Sequence, residues 1–233
     1  MGNDCKFQIP DNCRKFGKKN FKVRLERANS FIEKFVEKVA PPKRVDDSDE
    51  AWTQSIRKRF FEICPGDCYA LPDAPWDKKG EFIADVTWAE TRKEKRILLA
   101  CEIEWGTGWH AKTSWPLVAE HFEKLLPVKA PFKVFIFSSD DPPEGVKVIA
   151  EGDFSTEFAK EKLEASLKNY GHHLPGEVYI FIDFPRTHIP DSPGKFRSFI
   201  WIAEEYGKAK AVVIKEVKED KLLRPTEFEA QWS

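Results

Sequence analysis

No stretch of this chain is apolar for long enough to span a bilayer, and its start carries no recognisable secretory leader, so the expectation is a cytoplasmic protein with no membrane partner. A G-x-x-x-x-G-K-[ST] phosphate loop, a G-x-G-x-x-G turn, a G-x-S-x-G nucleophile elbow and internal repeats are also missing. Nucleotide-driven and serine-hydrolase chemistry lose most of their support. Nor is there a surplus of charge: Lys+Arg 38 against Asp+Glu 39 leaves a net −1, which argues against a globally basic nucleic-acid binder. Cysteine is sparse and odd in number, at five, which suits thiols kept reduced. Cys64 and Cys68 with Cys5 and Cys13 could offer four sulfurs to zinc, but the second pair is too widely spaced for the usual motif. Cys101 reads as a buried apolar thiol.

The 233 residues allow one large α/β domain, or a core with a small N-terminal appendage. Charge is uneven along them. Residues 1–44 hold 12 Lys/Arg and 5 Asp/Glu, whereas 45–90 hold 5 and 11, so a basic arm and helix (1–44) precede an acidic start to the α/β core (45–233, including a C-terminal tail). That contrast suits a polyanionic substrate, and it equally suits a solvated basic helix.

Apolar spacing orders the elements. Leu25, Ala28, Ile32, Phe35 and Val36 mark an amphipathic helix from Asn20 to the Pro41-Pro42 stop, and Trp52, Ile56, Phe60 and Ile63 mark a second helix opened by Ser48. The loop 65–80 holds a short strand at Cys68–Leu71. Ser114 predicts a capped helix with Val118, Phe122, Leu125 and Leu126 on its core face, and Ser155 predicts another that Gly171 closes. His172 and His173 read as a helix-end feature. Strands are expected at Pro131–Ser139, Val178–Phe184, Phe196–Ala203 and Ala209–Val217, with a shorter one at 146–150. Asp183 reads as a strand-end acid making structural bonds.

The chemistry concentrates at Arg96–Gly106, RILLACEIEWG. Its apolar run is that of a buried central strand, and alternation puts Leu98, Ala100, Glu102 and Glu104 on one face, with Ile97, Leu99, Cys101 and Ile103 on the other. Two acids at the end of a buried face need compensation by a cation, a raised pKa or basic partners. Glu81–Trp88 alternates as a strand, and TRKEKR (91–96) suits a hairpin connector. A turn centred between Lys93 and Glu94 sets Asp85 opposite Glu102, at the roughly 4.5 to 5.5 Å of direct cross-strand neighbours, with Glu104 on the diagonal. A slip of one residue would send Asp85 to the other face.

That order of Asp85, charged connector, Glu102-Ile103-Glu104, helix and further strand resembles the PD-(D/E)xK superfamily of restriction-endonuclease-like nucleases. The EWG ending and the F-x-K-L-L helix end, Phe122–Leu126, are similar to nuclease-like proteins of that kind. The resemblance covers roughly Trp52 to Val217. It implies a central mixed β-sheet flanked by helices and a metal-dependent nuclease hydrolysing phosphodiester bonds of nucleic acid, DNA ahead of RNA, with room for a homodimer. It implies Mg²⁺, with Mn²⁺ able to substitute, held by Asp85, Glu102 and the Ile103 carbonyl, with Glu62 as an auxiliary acid. The sequence departs from the pattern where Glu104 replaces the motif lysine, as in some type II restriction enzymes, and where Ala84 replaces the proline. Glu104 would then orient or deprotonate the attacking water, and Lys124 could supply the missing cation. His110 and Lys112, in the glycine-hinged GTGWHAK, offer donors to phosphate. Two other readings compete: a nuclease fold that binds nucleic acid or a protein partner without turnover, and a glycoside hydrolase using paired acids.

Overall fold

A computed structural model describes residues 18–38, 49–66, 68–71, 84–90, 96–106, 111–139, 154–184, 197–205 and 208–216. The expected arm before residue 18, the linker to residue 48, most of the loop 65–80, the hairpin connector, the loop holding His110, the strand at 146–150, the loop 185–195 and the final tail lie outside the described residues, as do the side chains of Lys112, Cys5 and Cys13.

Four helices and seven strands follow in the order α1 (Lys18–Lys38), α2 (Asp49–Ile63), β1 (Tyr69–Leu71), β2 (Val86–Ala89), β3 (Ile97–Glu104), α3 (Ala111–Leu125), β4 (Phe132–Phe137), α4 (Thr156–Asn169), β5 (Val178–Asp183), β6 (Arg197–Glu205) and β7 (Lys208–Glu216). The strands form a single sheet in sequence order. β3, β4 and β5 run parallel, joined by α3 and α4, while β1, β2, β6 and β7 are antiparallel to their neighbours. Parallel strands covered on both faces need continuous apolar sequence, which FKVFIF and VYIFID supply.

Three layers result. Ala28, Ile32 and Phe35 of α1 and Ile56 and Phe60 of α2 pack with Leu99, Cys101, Ile103, Val134, Ile136 and Ile180 on one face. Val118 and Phe122 of α3 and Ala159, Leu163 and Leu167 of α4 pack with Ala100, Phe135, Phe137, Phe181 and Trp201 on the other. The basic-arm helix thus shares a core with α2. Alternation along β3 holds except at Ile97, which packs on the α3/α4 side beside an irregularity in the β2–β3 pairing.

Two expected helix ends differ. α3 begins at Ala111, three residues before Ser114, and Ser114 is buried inside it. Packing claims that serine: a Cβ on Gly106 would lie 3.1 Å from Ser114 Cβ. α4 opens as expected, with Ser155 Oγ accepting from Phe158 N, but it closes at Tyr170 with φ −79° and ψ 100°. Gly171 is not among the glycines with positive φ, so no left-handed closure occurs there. The Tyr170 N–H instead bonds the Ser166 and Leu167 carbonyls, and its ring meets His173 edge to face at 5.0 Å.

Candidate acidic site at the end of β3

The register expected of the hairpin is present. Val86 pairs with Cys101, Thr87 with Ala100 and Trp88 with Leu99, which sets Asp85, one residue before β2, across from Glu102. At that point the sheet pairing stops and the Asp85 side chain takes over: its Oδ2 accepts the Ile103 N–H at 2.8 Å. Oδ1 meets the guanidinium of Arg57, which reaches over from α2. Arg57 is nearly buried, with a side chain 8 % exposed against 13 % for Asp85, so this pair is shielded from solvent.

Glu102 and Glu104 share one face of β3, as alternation requires, and both meet α3. His121 spans them, with Nδ1 at 3.0 Å from Glu102 Oε2 and Nε2 at 3.2 Å from Glu104 Oε2. The remaining Glu104 oxygen, Oε1, accepts the Gly106 N–H at 2.8 Å. Gly106 has φ +68°, a left-handed turn that a side chain would strain, and this turn brings its N–H back to Glu104. Trp105 Nε1 donates to Thr53 Oγ1 of α2 at 2.8 Å, fixing the strand end on the opposite face.

Electrostatics follow from this placement. Burial pushes Glu102 above its ordinary value, and the His121 hydrogen bond pulls it back. The bond to Glu102 raises His121, with Glu104 adding to the effect against partial burial. Cys101 is raised well above the usual thiol range by complete burial, then by Asp85. It is an inert apolar thiol, as its strand position implied.

The sequence-predicted residues therefore divide. Glu102 and Glu104 come together on His121 of α3, whereas the Asp85 carboxylate turns to the Ile103 N–H and to Arg57 of α2. Lys124 lies one turn of α3 beyond His121, exposed, with Nζ 3.9 Å from Glu120, and its charge still lowers Glu102. Glu62 is engaged by Arg59 on its own helix at 2.5 Å. Cys64 and Cys68 are half-buried. Sequence reasoning missed His121 and Arg57 as partners of the acids. His121 had a usable signal, since it sits three residues before Lys124 on a helix that must return over β3. Arg57, between core residues, gave none.

Among the described residues no group of three or more His, Cys, Asp and Glu side chains is disposed to hold a metal ion, and no helix is long and apolar enough to cross a membrane. Comparison with family models, with curated proteins and with solved structures gives no match.

Proposed function

We propose that the chain hydrolyses phosphodiester bonds, DNA ahead of RNA, at the acidic end of β3, as a restriction- or repair-type endonuclease of restriction-endonuclease-like build. The observation that carries this reading is the hairpin register, which brings Asp85, the residue before β2, beside the end of β3 that holds Glu102-Ile103-Glu104. The strand, strand, helix, strand order expected from the resemblance supports it, as does a site at the carboxyl end of the parallel strands, where α/β sheets form their sites.

The resemblance implies Mg²⁺, or Mn²⁺ in its place, and the hard oxygen donors of Asp85, Glu102 and the Ile103 carbonyl suit such an ion. Their placement does not. Arg57 and the Ile103 N–H take one Asp85 oxygen each, and His121 lies across the two glutamates. Of the chain's own groups, Glu104, which His121 meets at 3.2 Å, would be the base that orients a water and accepts its proton, and the exposed Lys124 would be the cation offered to a phosphate.

That same neutralisation favours a second reading, a nuclease fold that binds nucleic acid or a protein partner without turnover. Incubating plasmid and single-stranded DNA with the protein in Mg²⁺, Mn²⁺ or chelator, with Asp85→Ala and Glu102→Ala as controls, separates the two. Metal-dependent cleavage lost in both variants supports hydrolysis. Tight binding of a labelled duplex without cleavage under any metal supports the second, and cleavage unchanged in the variants overturns the assignment of the site.

A further inference from the structure

The acids at the end of β3 carry their own basic partners, and the partner of the two glutamates is the more accessible: the His121 side chain is 29 % exposed, against 8 % for Arg57. Its two ring nitrogens project in diverging directions, and each meets a different carboxylate, at 3.0 and 3.2 Å. An imidazole in that position fills the gap between them. The bridge is anchored at Glu104 by the Gly106 N–H at 2.8 Å, and α3, which carries His121, is seated by its buried Val118 and Phe122.

We propose that His121 is a positioning residue whose imidazole bridges Glu102 and Glu104 and fills the place a divalent ion would need, so that imidazole and ion compete for the same carboxylate oxygens. This rests on the reading of those glutamates as the acids of the proposed site. If His121 were instead an ion ligand, its removal would weaken ion binding. If it is the competitor, removal frees the carboxylate oxygens that the ring occupies, and ion binding tightens. The two roles predict opposite signs.

The test is titration of the full chain with Mn²⁺, following the free aquo ion by electron paramagnetic resonance. His121→Ala and the bulkier His121→Gln are compared with the wild type, and thermal melts followed by circular dichroism establish which variants are folded. The expected result is one Mn²⁺ bound about tenfold tighter in the folded variants, with the gain abolished when Glu102→Gln is added. Equal or weaker binding in the variants, or no binding in any of the proteins, overturns the proposal. Wild-type cleavage of DNA with no gain in Mn²⁺ affinity on losing His121 sinks this inference alone. Tighter binding in a protein that never cleaves sinks the nuclease reading and leaves this inference standing.

Discussion

Lys133 Nζ lies 3.2 Å from Glu177 Oε2 with both side chains sealed from solvent, 0 % and 4 % exposed. The ammonium also donates to the Leu126 carbonyl and to Tyr179 Oη, each at 2.9 Å. Tyr179 Oη in turn lies 2.9 Å from His173 Nδ1, and His173 Nε2 lies 2.8 Å from the Leu167 carbonyl. The C-terminal ends of α3 and α4 are thereby tied to the first residues of β4 and β5, and cations at helix C-termini suit the macrodipole. Lys133→Met leaves the Glu177 carboxylate buried without its cation, so a loss of about 3 to 5 kcal/mol is expected in urea unfolding. A loss below about 1 kcal/mol would mean that the network adds nothing to stability.

The same lysine gives an alkaline signature. Burial lowers Lys133 from 10.5 to about 8, against the pull of Glu177. Between those values the unfolded chain holds the proton that the folded chain has released, so this group's contribution to stability rises with pH across that window. Tyr179 and Cys101, both pushed up by burial, act in the opposite sense once the unfolded chain ionises them near 9 to 10. Both are present in wild type and Lys133→Met. The stability difference between these two proteins, measured by denaturant titration from pH 7 to 10, should therefore widen; a constant difference would contradict the assignment.

His173 supplies the acid counterpart. Its ring is fully buried, and burial lowers it from its ordinary 6.5 despite the Leu167 carbonyl. Its stabilising contribution is complete above 6.5 and is lost as pH falls below that value, because the unfolded imidazole takes up a proton that the folded one resists. His173→Gln should flatten the fall in thermal midpoint between pH 7 and 5. An unaltered slope would show that another group sets it.

Much of this fold was legible because its central strands are short and rich in β-branched or aromatic residues, with a single charge in each of β4 and β5. VYIFID and FKVFIF are hard to read as anything but covered parallel strands. The hairpin register was legible too, because centring the charged connector between Lys93 and Glu94 gives the same pairing as Val86 with Cys101, and a slip of one residue would reverse every face. What escaped were partners supplied by other elements. Lys133 sits in a strand pattern at a position that looks exposed until α3 and α4 cover it, and Arg57 reads as a helix-surface cation until β2 ends beneath it. Ser114 reads as a cap because local capping chemistry is visible in sequence, whereas its closeness to Gly106 depends on how α3 packs on β3.

Gly106 joins backbone conformation to the site. At φ +68° with Ser114 Cβ 3.1 Å from any added Cβ, Gly106→Ala is both strained and crowded. The expected cost is about 1 to 3 kcal/mol in thermal or urea unfolding, and displacement of the N–H that holds Glu104 Oε1 should lower any cleavage activity of the folded variant. Wild-type stability in Gly106→Ala would show that the turn relaxes freely.

Asp85 must be judged by stability before activity, because it has a structural task whatever the chemistry. Its carboxylate closes the end of β2 by taking the Ile103 N–H and holds the nearly buried Arg57. Asp85→Ala leaves that guanidinium buried without its acid, and Arg57→Met leaves the acid without its cation; each should cost about 2 to 4 kcal/mol. Because each single change strands the other partner, the double variant should lose less than the sum, by about 1 to 3 kcal/mol in a double-mutant cycle read from urea unfolding. Strict additivity would mean that the two side chains do not act as a pair. A coupled result sets a condition on the cleavage assay: loss of activity in Asp85→Ala bears on chemistry only at temperatures where circular dichroism shows the variant folded. There, activity that fails with Asp85→Ala but survives Arg57→Met separates Asp85's part in the chemistry from its part in closing the strand.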